Sequence, residues 1–234
     1  MICRSSPGFS LRFGKPITVI VGSNGSGKST LLEALAGHCG FGQLGGSRDH
    51  AHAAENAADG GLVHALRFSC LPKVTNGFFF RAESFFGYSN WLDDLTDQYP
   101  GAMEANYGSR HLLKQSHGES FLALFCNRLG SAGRSFYVLD EPESALSPAR
   151  QLEFVKLVHG WHRSGRVQAV IATHSPILMA YPHADVLHIG PHGIDRADYR
   201  DLEHYRVMRD FLADPGAAYA ALLEDSAEGA PDEK

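Results

Sequence analysis

No stretch of this chain comes near the about twenty uninterrupted apolar residues that a membrane-crossing helix needs. The start, Met1-Ile2-Cys3-Arg4-Ser5-Ser6-Pro7, lacks the long apolar core of a signal peptide. Any membrane association is therefore expected to pass through a partner. Paired cysteines are missing as well: Cys3, Cys39, Cys70 and Cys126 are scattered, with no two at metal-ligand spacing. Reduced thiols in a cytoplasmic protein are the expectation. A net charge of −5 excludes a dominant basic footprint for nucleic acid, though not a local basic patch. There is no internal repeat and no heptad seam. Histidine is plentiful, and Asp49-His50-Ala51-His52 is its densest cluster. That cluster sits in a Gly- and Ala-rich stretch, where tight metal sites with ligands on fixed elements are not built. Solvated loop histidines are the reading.

What is present starts at Ile17-Thr18-Val19-Ile20-Val21, a β-branched run that reads as a buried parallel strand. It leads into Gly22-Ser23-Asn24-Gly25-Ser26-Gly27-Lys28-Ser29-Thr30, a complete phosphate-binding loop, and then into a helical run, Leu31-Leu32-Glu33-Ala34-Leu35-Ala36. Glycines at Gly22, Gly25 and Gly27 let the backbone curl so that successive N–H groups point inward at phosphate oxygens. The N–H groups of Asn24, Ser26 and Thr30 fall in the same cradle, and the helix start adds partial positive charge. Lys28 is placed to reach β- and γ-phosphates, and the Ser29 hydroxyl to hold Mg²⁺. The stretch implies a bound nucleoside triphosphate, with ATP and Mg²⁺ the expected ligands.

At 234 residues and 44% hydrophobic content, the chain fits one α/β domain with a sizeable core. Short apolar runs at 62–68, 77–81, 136–139, 168–173 and 185–189 predict further strands. Helical patterns cover 88–95, 118–129, 148–162 and 201–212. Residues 37–61 read as a long surface loop, and residues 224–234 as a disordered acidic tail. Alternating strands and helices predict a mostly parallel sheet covered on both faces, with ligands beyond the carboxyl ends of the strands. The strand at 136–139 ends at Asp140-Glu141. Asp140 suits the Mg²⁺ shell, and Glu141 suits orienting and deprotonating an attacking water. His174 follows the strand at 168–173 and is placed to contact γ-phosphate and that water. Ser116 stands before a helical run, where a hydroxyl and helix N–H groups make a second anion site.

Taken in order, these segments resemble the ABC-type ATPases, a P-loop NTPase superfamily that includes transporter ATP-binding domains and SMC-like and RecF-like ATPases. The resemblance covers about residues 17–182. Asp140-Glu141-Pro142-Glu143-Ser144-Ala145-Leu146 resembles the family's second acidic motif and D-loop, and Thr173-His174-Ser175-Pro176 its switch histidine. Gln115-Ser116-His117-Gly118-Glu119 occupies the place of the signature: Ser116 and Gly118 match, Glu119 replaces Gln, and His117 departs from the first glycine. No Gln stands at the Q-loop, where Glu83 is the candidate: its carboxylate is suited to contact Mg²⁺, the alternative being that Arg81 or Glu83 simply forms a surface ion pair. Gly77–Ser84 and Gln115–Ser120 also resemble a set of small, stand-alone bacterial ATPases of the AAA kind. The resemblance implies a single ATPase domain over residues 1–223, with a helical subdomain at about 83–130 carrying the signature.

It further implies an ATP-dependent head-to-tail homodimer in which Ser116, Gly118 and Glu119 cap the γ-phosphate held by the other copy. The expected activity is Mg²⁺-dependent hydrolysis of ATP to ADP and phosphate, switching an unidentified protein or DNA partner. The alternative is the ATP-binding subunit of an ABC membrane transporter, against which the absent Gln and altered signature count. No coiled-coil insertion separates loop and signature, which excludes a long-armed chromosome tether. Phe78–Phe80 are expected in the core, and Phe9, Arg12 or Phe13 are candidates for the adenine contact.

Overall fold

The computed structural model describes residues 2–4, 10–42, 46, 66–69, 76–84 and 133–228. The chain divides into two units, Met1–Arg196 and Ala197–Lys234. In the first unit, β1 (Ile2–Arg4), β2 (Ser10–Arg12) and β4 (Arg67–Ser69) form a small antiparallel sheet in the order β2-β1-β4. The larger sheet holds β3 (Ile17–Val21), β5 (Asn76–Arg81), β6 (Ser135–Asp140), β7 (Val167–Ala172), β8 (Asp185–Gly190) and β9 (Gly193–Arg196). Its order is β5-β6-β7-β3-β8-β9, parallel except for the last pair. All five residues of β3 are buried, as a strand covered on both faces must be.

Helix α1 (Lys28–Cys39) starts where the loop ends and packs Leu31, Leu32, Leu35 and Ala36 into the core. It outruns the expectation of a loop from residue 37. Gly40 (φ 75°) closes it, with Gly40 N–H donating to Gly37 O and Phe41 N–H to Ala36 O. That pair of bonds lets Phe41 bury beside the helix end. Gly46, also inside the expected loop, is bonded in both directions to Phe79 of β5. Helix α2 (Pro148–Ser164) begins with Ser147 accepting from Arg150 N–H and Pro148 in the first turn, and ends at left-handed Gly165. Trp161 on its inner face meets Tyr137 of β6, with ring centroids 5.0 Å apart, and Phe154 meets Trp161 edge to face. A single turn, α3 (Pro176–Met179), follows β7 and is capped by the Ser175 hydroxyl.

The strands expected at 77–81, 136–139, 168–173 and 185–189 are β5 to β8 within a residue or two. The run at 62–68 contributes, in its described part, to the small antiparallel sheet instead. The second unit holds α4 (Glu203–Ala213) and α5 (Pro215–Glu228), with Phe211 and Tyr219 meeting edge to face at 5.6 Å. Helix α5 overturns part of the disordered-tail expectation: residues 224–228 are helical, because Pro215 at the helix start and the Asp214 cap on Ala217 N–H launch an Ala- and Leu-rich run. The expected helices at 88–95 and 118–129, the subdomain at about 83–130 beyond residue 84, the Asp49–His52 cluster and Phe9 lie outside the described residues. Among the described residues no helix is long and apolar enough to cross a membrane.

Candidate functional site: a phosphate loop facing an acidic strand end

The order β6-β7-β3 brings three strand ends side by side. Ile20 of β3 is in register with Ala172 of β7, and Ala172 with Asp140 of β6. The residues that follow, the phosphate loop after β3, Thr173-His174 after β7 and Glu141 after β6, therefore emerge at one edge. Two backbone bonds tie them, Thr173 N–H to Ile20 O at 3.1 Å and Glu141 N–H to Ala172 O at 3.0 Å.

The loop needs its first glycine for close approach. A Cβ at Gly22 would stand 2.6 Å from Ser26 Oγ and 2.8 Å from Ile189 O. Gly27 (φ 94°) turns the chain into α1. Lys28 is buried and folds back over the loop, its Nζ donating to Gly22 O at 2.8 Å and Ser23 O at 3.1 Å. Burial pulls its pKa down, opposed by the charges of Glu141, Asp140 and Glu143. Ser26 Oγ is buried and has no hydrogen-bond partner among the described residues.

Across the loop, Ser29 donates its hydroxyl to the buried Asp140 carboxylate. Burial pushes Asp140 up to about 6, against the pull of Ser29 and of the Arg81 guanidinium. Asp140 Oδ1 is shielded from solvent and has no partner among the described residues. A hydroxyl bonded to a carboxylate with one oxygen unsatisfied is a hard-oxygen donor set that fits Mg²⁺, which prefers one or two protein oxygens completed by phosphates and water. No group of three or more His, Cys, Asp or Glu able to hold a metal exists among the described residues.

Glu141 has left-handed backbone (φ 49°, ψ 52°), unusual for a side chain of its length. The turn aims its carboxylate at the switch segment: Glu141 Oε1 stands 3.6 Å from His174 Nε2. Burial and the neighbouring Lys28 charge pull the His174 pKa down, opposed by Glu141, so the imidazole is neutral at pH 7. Lys28, Ser29, Asp140, Glu141 and His174 are thus brought together as expected. Ser116, Gly118 and Glu119 lie outside the described residues. Glu83 is 80% exposed and pairs with Arg81 at 3.1 Å, while Arg81 also pairs with Glu33 at 2.5 Å. Phe13 is buried in the core cluster, so it is removed from the adenine candidates, whereas Arg12 is exposed.

The sequence reading missed Glu143, quoted only as part of a motif. It lies in the 3₁₀ turn Pro142–Ala145, where its Oε1 accepts from His174 N–H at 2.6 Å. Its signal was a third acid two residues past Glu141. Gln151 on α2 was missed too; it accepts from Ser175 Oγ–H at 2.6 Å and donates to Leu146 O.

Two family models match parts of the chain: one described as "AAA domain" over residues 4–65, and one described as "AAA domain, putative AbiEii toxin, Type IV TA system" over residues 118–180. No curated protein matches it. Among solved structures, a "putative metal-chelate type ABC transporter" in an inward-facing conformation is 22% identical, with TM-score 0.49, covering 82% of this chain and 76% of the other. The SMC head domain from Thermotoga maritima is 18% identical, with TM-score 0.46, covering 84% of this chain and 97% of the other. The phosphate loop falls within the first stretch that the AAA-domain models match and the acidic strand end and switch segment within the second, and the sheet that carries them has the fold of a P-loop NTPase.

Proposed function

We propose that the chain is a Mg²⁺-dependent ATPase that binds ATP in the Gly22–Thr30 cradle and hydrolyses it with Glu141 as general base. The observation that supports this most is the meeting, at three adjacent strand ends, of the loop cation, a buried Ser29–Asp140 pair and the Glu141–His174 pair. Lys28 exchanges its two loop carbonyls for phosphate oxygens. Ser29 and Asp140 would hold Mg²⁺, whose chemistry is to neutralise charge on the phosphates. Glu141, not fully buried, holds a carboxylate ready to take a proton from water, and neutral His174 offers an N–H to the γ-phosphate. Ser116, Gly118 and Glu119 supply the second anion site to a partner copy, so that two ATP molecules bridge a dimer that switches a partner.

Glu141→Gln tests this reading. Glutamine keeps the size and hydrogen bonding of the side chain but cannot accept a proton, so turnover should fall by about 10²–10⁴. Removing a negative charge near the γ-phosphate leaves ATP binding intact or tighter. Light scattering in Mg-ATP should then show a lasting dimer for the variant and mostly monomer for wild type. Turnover at the wild-type rate moves the base elsewhere, with His174 the first suspect. Lost turnover without a dimer retains the ATPase and removes the composite site.

A further inference from the structure

Beside Glu141 stands a second carboxylate that the proposed chemistry does not use. Glu141 and Glu143 are two residues apart in one turn, held by Ser144 N–H to Glu141 O at 3.1 Å and Leu146 N–H to Glu143 O at 2.8 Å. They address the same histidine from two sides. Glu141 faces the imidazole Nε2, while Glu143 Oε1 takes the backbone N–H of His174. Glu143 also accepts the hydroxyl of the fully buried Thr173. Thr173 Oγ1 in turn accepts Ser175 N–H at 2.9 Å, so Thr173 and His174 are tied to the Glu143 carboxylate and Ser175 follows through the Thr173 hydroxyl. The other oxygen, Oε2, is shielded from solvent without a partner among the described residues, and burial pushes the Glu143 pKa up. A buried carboxylate is a costly way to accept two hydrogen bonds unless the geometry it fixes matters. Gln151 makes a second bridge between the same turn and Ser175.

We propose that Glu143 is a positioning residue of the ATPase site, clamping the Thr173-His174-Ser175 turn so that the His174 imidazole is held against Glu141. The inference rests on the ATPase reading for its consequence in turnover, but not for the clamp itself. The acceptor oxygen does the work and the charge does not. Glu143→Gln, which keeps that oxygen, should therefore behave much like wild type, and Glu143→Ala should not.

Two measurements on the full chain test this. In nucleotide-free protein, amide exchange followed by NMR reads the clamp directly. His174 N–H should exchange at least about tenfold faster in Glu143→Ala and within about threefold of wild type in Glu143→Gln. Thr173 N–H, bonded to Ile20 O, is the internal reference and should stay protected. In turnover, Glu143→Ala should lower kcat about 10–100-fold with ATP affinity within about twofold, and glutamine should recover most of it. In a His174→Ala background, Glu143→Ala should cost less than about threefold more, because its effect passes through that histidine. Equal losses in the Ala and Gln variants, unchanged His174 exchange, or a full further loss without His174 each overturn the proposal. A wild-type chain that hydrolyses no ATP removes the ATPase reading and leaves the exchange measurement to decide the clamp. Should Glu143→Ala fail to fold, Glu143→Asp, one methylene too short to reach the amide, carries the same expectations.

Discussion

Asp140 shows how much of this site is written in single residues. Its place after an apolar strand made it legible, since a carboxylate there faces whatever the phosphate loop holds. Its burial was not legible, because that depends on β5 and α1 closing around it. Burial has a measurable consequence. With a pKa raised from the ordinary 3.8 to about 6, the folded protein holds this proton more tightly than the unfolded chain does. The stability that this group contributes is then fully present below about pH 4 and is lost as pH rises through the window from 4 to 6, by an amount on the order of 2–3 kcal/mol. Asp140→Asn removes that loss. Urea unfolding of nucleotide-free protein should find the variant more stable than wild type by about 1–3 kcal/mol at pH 8, the gap closing toward pH 4. A gap that does not change with pH would show that the carboxylate is not desolvated as described. Glu83, the Q-loop candidate, lies exposed and pairs with Arg81, a counter-charge that no spacing rule reveals.

Among the elements, the strands of the main sheet were readable because burial on both faces leaves unbroken apolar runs. β9 and the small antiparallel sheet were not, since three- and four-residue edge strands such as Gly193-Ile194-Asp195-Arg196 mix exposed and half-buried side chains with no alternation. Helix α5 carried a start signal, Asp214-Pro215, that was passed over in favour of the acidic composition beyond it. β5 contains an aspect that no pattern announces. Gly77 lies in register with Phe136, and a Cβ there would collide with the Phe136 carbonyl and the Phe41 ring. Backbone cannot give way as a side chain can. Gly77→Ala should lower stability by about 1–3 kcal/mol or more, seen as a lower urea midpoint with an unchanged slope. A midpoint equal to wild type would mean that β5 is free to shift away from β6.

Taken whole, the molecule places the phosphate loop, the acidic strand end and the switch histidine in its first unit, while α4 and α5 in the second unit expose Val207, Leu212, Leu222 and Leu223. The two-copy arrangement was argued from the motif order at Ser116–Glu119, and it makes its own prediction. Ser116→Arg should bind ATP yet hydrolyse it poorly, and mixing it with Lys28→Ala should restore about one working site per heterodimer. No recovery in a sample shown to contain heterodimers would argue for a mechanism complete within one chain. The sheet order also bears on how the chain is made. β3 leaves the ribosome before its neighbours β7 and β8: Ile17 pairs with Ala169, and Thr18 with Asp185. Such distant pairing is slow to form. The strand that ends in the nucleotide cradle thus waits for β7 and β8 to be made as a bare, sticky, β-branched segment of the kind that chaperones cover. The cradle is translated before the strands that hold it, so products terminated ahead of β7 carry its residues without its grip.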